Sequence, residues 1–238
     1  MEDRPTSDAW SPPPTEPPPP APPGPPAPAL IPWEDPSRPW FAALTETVQA
    51  FFTGPRRAYE RVPVRSDVLR PLLFAILVGW IGQFFFSVWE LTLVDPLRAL
   101  MPGNQIGDAE ELPRGYWIAV MALAPLISAV GLIFSSALSH VFLMLFGGAR
   151  NGFVATFRAL CYVQVAALLL AVPFCGGLGA GAFALVLQVI GLSTMHRISL
   201  GKAAAAVLVP TFLCCLCVSA VILMVGAAAI SALGGLTH

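Results

Sequence analysis

Long apolar stretches, bounded by glycine, proline or charged residues, dominate the chain after residue 70. An α-helix needs about 20 mostly apolar residues to cross the ~30 Å hydrocarbon core of a bilayer. The pattern predicts about five transmembrane helices within residues 71–235, at 71–94, 116–146, 155–174, 178–195 and 203–233. The predicted fold class is therefore an all-α integral membrane protein.

Prolines and glycines indicate where the predicted helices bend, turn or pack closely. The second and fifth predicted helices are longer than a bilayer requires, and each contains a proline at which we expect a kink. The third and fourth are short and separated by only three residues, which predicts a tight hairpin that crosses the membrane; a re-entrant pair is the alternative. Hinge or close-packing positions are expected at Pro125, Pro173, Gly176, Gly177, Gly191 and Pro210.

Residues 40–70 show a different pattern, in which large apolar side chains recur at helical spacing. The helical stretch within it, residues 39–54, is too short and too polar to span a bilayer. It predicts an amphipathic helix at the membrane interface, with packing on the helical bundle as the alternative. Five arginines follow it before the first span and form a basic collar suited to an anionic membrane surface. The apolar residues are Trp40, Phe41, Leu44, Val48, Phe51 and Phe52.

Residues 1–39 contain sixteen of the twenty-five prolines. Proline has no amide hydrogen and a fixed φ, so this segment is predicted to be a disordered tail rich in polyproline II conformation. A spacer role is favoured, and a ligand for a polyproline-binding cytosolic protein is the alternative.

Composition supports a membrane protein: 56% of the residues are hydrophobic and 11% are charged, whereas soluble domains carry about 25% charged residues. The net charge of −1 argues against binding to nucleic acid. Lys202 is the only lysine, and this arginine-rich usage is typical of a GC-rich bacterial genome.

Arginines and the lysine cluster at the N-terminal region and in the second and fourth predicted loops. Basic loops stay in the cytoplasm. The predicted orientation therefore places the N-terminus in the cytoplasm and the C-terminus outside, in a bacterial inner membrane.

Few ionisable residues fall within the predicted spans, and these are candidates for function. Glu90 is interpreted equally well as an interfacial carboxylate or as a functional one. His140 is expected to be neutral and hydrogen-bonded to a neighbouring helix rather than a metal ligand or proton relay. Arg158 is expected to extend toward the headgroups. His196 is interpreted as a cation that complements the end of its helix.

Gln83, Gln164 and Gln188 are the polar residues nearest the predicted middle of the bilayer, and hydrogen bonds between helices explain them. The cysteine cluster at 214–217 is interpreted as small residues packing between helices, and a metal or redox site is the less favoured reading. Motifs of hydrolases, phosphate-binding loops and zinc proteases are absent from the sequence. We therefore predict neither enzymatic activity nor a cofactor.

Residues 156–210 contain a series of positions typical of one known family. They are Thr156, Phe157, Arg158, Ala159, Tyr162, Pro173, Val189, Ile190, Gly191, Leu192, His196, Ile198, Ser199, Lys202, Ala203 and Pro210, with His140, Gly147 and Gly148 before them and Trp33 and Glu34 at the entry. With these residues the chain resembles the membrane domain of the Yip family, the Rab/Ypt-interacting-protein group, in its bacterial branch. The resemblance implies a five-helix membrane domain with a cytoplasmic N-terminal tail.

Eukaryotic members of that family bind Rab GTPases, but their acidic-aromatic-Gly-Pro motif is not evident here, so that role is not carried over. The predicted function is a non-enzymatic protein that organises membrane or scaffolds partners. Expected partners are the lipid bilayer, other membrane proteins or a second copy, and a cytosolic protein bound to the tail. The alternative is a component of a small-solute or ion transporter or channel, and a metal or redox role for His140 and the cysteines is a third, weaker option.

Overall fold

The computed structural model describes residues 29–64, 67–94 and 114–234, with side chains described in 29–64, 67–93 and 118–226. All regular secondary structure in these ranges is helical. Five of the helices are long and apolar enough to span a membrane, which confirms the predicted fold class. The part of the proline-rich tail at residues 1–28 and the polar loop at 95–113 lie outside the described residues.

The described residues form two N-terminal helices followed by five longer helical spans. A 3-10 turn at Pro32–Glu34, which we call the entry turn, precedes the first helix. The helices are α1 Trp40–Thr53, α2 Pro55–Glu60, α3 Leu69–Trp89, α4 Arg114–Leu145, α5 Gly152–Val163, α6 Gly176–His196 and α7 Leu200–Gly234. The span that contains α3 continues as a π-helical turn at Glu90–Val94, and the span that contains α5 continues as a 3-10 helix at Gln164–Ala171.

The third span, α5 with its 3-10 extension, lies at the centre of the bundle. Its most apolar window is 56% buried, compared with 11% for α4 and for α7. It contacts α3, α4 and α6, whereas most large side chains of α4 and α7 point outward. The peripheral helices are therefore the ones that present their side chains to lipid, and the central span is the one that can hold buried polar groups.

The starts of α5 and α7 and the ends of α4 and α6 meet at one end of the bundle. There Arg150 Nη1 donates to the carbonyl of Arg197 at 3.3 Å, and the Asn151 side chain donates to the carbonyl of Met195 at 2.5 Å. Arg158 Nη1 donates to the carbonyl of Asp67, which places the start of α3 at the same end. We call this the basic end.

The lengths of the third and fourth spans favour full crossing of the bilayer over a re-entrant hairpin. Twelve α-helical residues followed by eight 3-10 residues extend about 34 Å, because the 3-10 helix rises about 2.0 Å per residue. The 21 residues of α6 extend about 32 Å. Both values match the ~30 Å hydrocarbon core.

The second half of the amphipathic helix α1 packs on the helical bundle, the alternative that the sequence left open. Phe51 is fully buried, and Phe52 stacks on Phe183 of α6 with ring centroids 5.1 Å apart, so the second half of α1 packs on the bundle. Trp40 and Phe41 remain 68% and 62% exposed at its start. Large exposed aromatic side chains of this kind suit the interface between lipid and water.

The predicted hinge positions have different roles in the structure. Pro125 and Pro210 lie inside α4 and α7, and each helix continues past its proline. Pro173 lies in the turn at which the chain reverses between the third and fourth spans. A Cβ at Gly176 would meet the Leu169 carbonyl oxygen at 2.3 Å, whereas Gly177 faces open space, so only Gly176 permits close approach.

Candidate functional site

The entry turn is fixed to the centre of the bundle by a buried ion pair. The Glu34 carboxylate accepts a hydrogen bond from Arg158 Nη2 of α5, and Tyr162, one turn further along α5, donates its hydroxyl to Glu34 Oε1 at 2.6 Å. Arg158 is fully buried and Glu34 is 8% exposed. A charge removed from water this completely is stable only when it is paired and hydrogen-bonded. The pair therefore requires the entry turn to be docked.

Neighbouring contacts fix the entry turn at several other points. Trp33 Nε1 donates to the Arg70 carbonyl at 2.7 Å, and its backbone amide donates to Thr47 Oγ1 at 2.9 Å. Arg70 in turn donates to the Glu34 carbonyl at 3.0 Å. The Trp33 ring packs edge-on against Phe74 of α3, with centroids 5.7 Å apart. The turn is thus connected to α1, α3 and α5 together.

A cluster of aromatic rings surrounds the ion pair. Phe51 stacks on Tyr162 with centroids 5.2 Å apart, and Phe74 lies 5.1 Å from the same ring. Tyr59 of α2 packs against Phe51 and donates to the Ala159 carbonyl at 3.2 Å. Burial raises the pKa of the Tyr59 phenol, so this hydroxyl stays protonated and remains a donor.

Gly191 of α6 makes room for α2. A Cβ at this position would meet the Tyr59 ring at 2.6 Å. The predicted close-packing role of Gly191 therefore lies between α6 and the N-terminal helices.

The prediction that Arg158 extends toward the headgroups was wrong. Its position one turn into the third span suggested that it reaches the surface, but its partner is an acid 124 residues earlier in the chain. In the sequence, Glu34 was noted only as part of the Trp33-Glu34 pair near the end of the proline-rich segment, with no indication that it pairs with Arg158. Of the three guanidinium nitrogens of Arg158, only Nε lacks a hydrogen-bond partner among the described residues.

A chain of hydrogen bonds also joins three helices at the basic end. His140 Nδ1 of α4 lies 2.8 Å from Thr156 Oγ1 of α5, and that oxygen lies 2.9 Å from His196 Nε2 of α6. His196 Nδ1 accepts the backbone amide of Asn151 at 3.2 Å. An accepting Nδ1 carries no proton, so the proton of His196 is on Nε2 and points to Thr156.

These bonds confirm the interpretation of His140 as a histidine bonded to a neighbouring helix. They contradict the interpretation of His196 as a cation. The buried Nδ1 of His196 accepts a hydrogen bond from the Asn151 amide, and only the neutral form of the ring can do this. Neither Thr156 nor Asn151 was singled out from the sequence as a partner of the histidines. Both are polar residues near the start of the span that holds Arg158, and only the packing of three helices brings them to the two rings.

The remaining predicted polar residues are dispersed. Gln188 Nε2 donates to Ser139 Oγ at 3.0 Å, a bond between helices as expected. Gln164 lies beside Gly79 of α3. Glu90 is partly buried at the start of the π-helical turn.

The cysteines mostly face outward. Cys161 is buried, but Cys175, Cys214, Cys215 and Cys217 are exposed, so the expectation that the 214–217 cluster packs between helices was wrong. Two of them line a groove of about 530 Å³ between α4 and α7, together with Ser139, Gln188 and Thr211. Among the described residues no group of three His, Cys, Asp or Glu side chains is arranged to hold a metal ion.

Five spanning helices, one of them a central span that contributes to a buried acid–arginine–tyrosine cluster, define a multi-pass α-helical membrane protein. The chain belongs to the family with the Yip1 domain, whose family model matches residues 50–231, most of its length. No curated protein and no solved structure matches the chain. Arg158 and Tyr162 lie inside the matched range and Glu34 lies before it. The ion pair therefore connects the family domain to the segment that carries the tail.

Proposed function

We propose that this protein is a non-enzymatic membrane-organising protein whose N-terminal tail recruits partners at the cytoplasmic face of a bacterial inner membrane. The observation that carries the proposal is the docked entry turn. The Glu34–Arg158 ion pair fixes the point at which the tail leaves the bundle. A tail tethered to a fixed point holds its partners at a high local concentration next to the membrane.

The positions of α1 and α2 support a second part of this role. Both helices pack against the spans, through Phe51 and Tyr59, and so enlarge the cross-section of the described bundle on the side of the basic end. A cross-section that differs between the two leaflets favours bilayer curvature. Exposed Trp40 and Phe41 add apolar surface at the interface.

Deletion of residues 1–28 tests the recruitment proposal. This cut keeps the entry turn, so we expect unchanged membrane insertion and an unchanged melting temperature in detergent. Proteins that co-purify with the full chain in mild detergent should be lost. The measurement is quantitative mass spectrometry of the purified complexes from cells that express each form.

A Gly/Ser tail of equal length is the matched control, because it keeps the length and removes the proline-rich sequence. Loss of partners with both the deletion and the Gly/Ser tail supports recruitment by the tail. An unchanged set of partners, together with unchanged vesicle shape after reconstitution, contradicts the proposal.

A transporter or channel component is the second candidate, and the groove between α4 and α7 favours it. The groove contains Gln188 and Thr211, whose polar groups are unusual on a surface that faces lipid. Pro210 interrupts the hydrogen bonding of α7 beside the groove, a feature of transporters with broken helices.

Accessibility of cysteines to water distinguishes this candidate. Cys215 lines the groove and Cys217 is exposed on α7 outside it, so two single-cysteine variants form a matched pair. A water-filled groove predicts that a membrane-impermeant thiol reagent modifies Cys215 much faster than Cys217 in liposomes. Equally slow modification of both would indicate that lipid fills the groove and would remove the support for transport.

A further inference from the structure

A second groove, of about 640 Å³, lies at the basic end between α2 and the junction of α6 and α7. Two arginines from distant parts of the chain line it, Arg56 of α2 and Arg197 between α6 and α7. Ser193, Thr194 and Ser199 add hydroxyl groups. The groove therefore presents cationic and hydrogen-bonding groups from three elements to one space.

The arginine charges are mostly available to a ligand. Arg56 Nε lies 3.4 Å from Glu60 Oε1, but both side chains are more than half exposed, so this pair is weak. The Arg197 guanidinium has no hydrogen-bond or ion-pair partner in the part of the chain that the structure describes. Its hydrogen bonds are made by the backbone: the amide donates to the Thr194 carbonyl at 3.3 Å, and the carbonyl accepts from Arg150. Glu60 is the acidic residue that lines the groove, so the lining carries a net positive charge.

The backbone at Arg197 is of a kind that usually selects glycine. Its φ of 52° and ψ of 48° lie in the left-handed region, at the end of a helix where the Ile198 amide donates to the Ser193 carbonyl at 3.0 Å. Glycine is the common residue in this motif. An arginine there carries conformational strain that its packing does not explain, since the side chain extends into the groove.

An apolar wall continues from this charged rim. Ile190 lines the groove about 9 Å before the end of α6, by helical rise, and Leu200 lines it at the start of α7. The groove thus runs from the ends of two spans, where headgroups lie, toward the apolar part of the bundle. This combination suits a molecule with an anionic head and a hydrocarbon chain better than a free ion.

We propose that this groove binds an anionic phospholipid, with its phosphate between Arg56 and Arg197 and an acyl chain along Ile190. Arginine is well suited to phosphate, because its guanidinium donates two parallel hydrogen bonds. Such a lipid would bridge α2 and the α6–α7 junction, whether or not the tail recruits partners.

Lipid binding to the full chain in neutral detergent tests this assignment. Native mass spectrometry measures retention of phosphatidylglycerol against phosphatidylcholine for the wild type, Arg56→Gln, Arg197→Gly and the control Arg57→Gln. Arg57 lies on the same helix but does not line the groove. Each groove variant should weaken phosphatidylglycerol binding about fivefold, the effect of one basic side chain near an anionic lipid, and Arg57→Gln should change it little.

Arg197→Gly separates a loss of lipid binding from a loss of folding. Glycine is favoured at this φ, so the melting temperature of the variant should be unchanged or higher. Equal losses in Arg57→Gln and the groove variants would indicate general surface attraction and overturn the site. Competition by glycerol 3-phosphate as effective as that by the lipid would assign the groove to a soluble phosphate compound and overturn the lipid proposal. Unchanged binding in both groove variants would overturn it as well.

Discussion

Replacing Arg158 with methionine is expected to lower the free energy of unfolding by about 3–5 kcal/mol, the usual cost of removing one partner of a buried ion pair. The Glu34 carboxylate would lose its Arg158 partner inside the aromatic cluster. The entry turn should then leave its site. Reversible unfolding in mixed detergent micelles measures the stability, and trypsin cleavage after Arg61 measures release of the N-terminal segment.

A double variant and a surface control make this prediction specific. Glu34→Gln keeps an oxygen that can accept from Tyr162 and removes the charge, so combining it with Arg158→Met should recover much of the loss. Arg38→Met removes an arginine from the exposed pair with Glu46, which should cost less than about 1 kcal/mol. If Arg158→Met proves as mild as Arg38→Met, the ion pair does not hold the entry turn.

Gly82→Ala is expected to be the second most damaging single change, at about 2–3 kcal/mol. A Cβ at Gly82 of α3 would lie 2.3 Å from the Ala167 carbonyl oxygen in the 3-10 extension of the third span. Backbone atoms cannot rotate away as a side chain does, so the two spans must separate and lose their packing. Small residues at such contacts are how membrane helices approach closely.

Gly79→Ala is the matched control for this change, since it lies one turn earlier on the same face of α3. A Cβ there meets only the side-chain oxygen of Gln164, at 3.6 Å, an ordinary contact. Alanine also favours the helix over glycine by about 1 kcal/mol. We expect Gly79→Ala to be neutral or stabilising, and thermal melting of both variants in one detergent compares them. Equal melting temperatures for the two would contradict the close approach.

Both predictions concern contacts of the third span, and there is a physical reason why the largest effects are expected there. That span is surrounded by helices, so its backbone approaches α3 closely and its arginine needs a partner from within the protein. The outer spans face lipid over most of their surface, and substitution among their apolar side chains should matter less. Stability of the domain and placement of the tail therefore depend on the same central element.

The number of spans follows from the sequence alone, because crossing a bilayer requires long apolar helices and leaves a signal that needs no partner. The same holds for the amphipathic character of α1 and for the bond between His140 and a neighbouring helix. Each rests on a local property: length, periodicity or the cost of an unpaired polar group.

Only the tertiary structure decided which polar residues meet. Glu34 and Arg158 are 124 residues apart, and neither position differs locally from an ordinary surface charge near a helix end. Which ring nitrogen of His196 carries the proton likewise depends on the Asn151 amide, which lies in the loop before α5. Apolar patterns determine that helices lie in the membrane, but the burial of a charge depends on which helices surround it. That arrangement is set by close packing over the whole bundle.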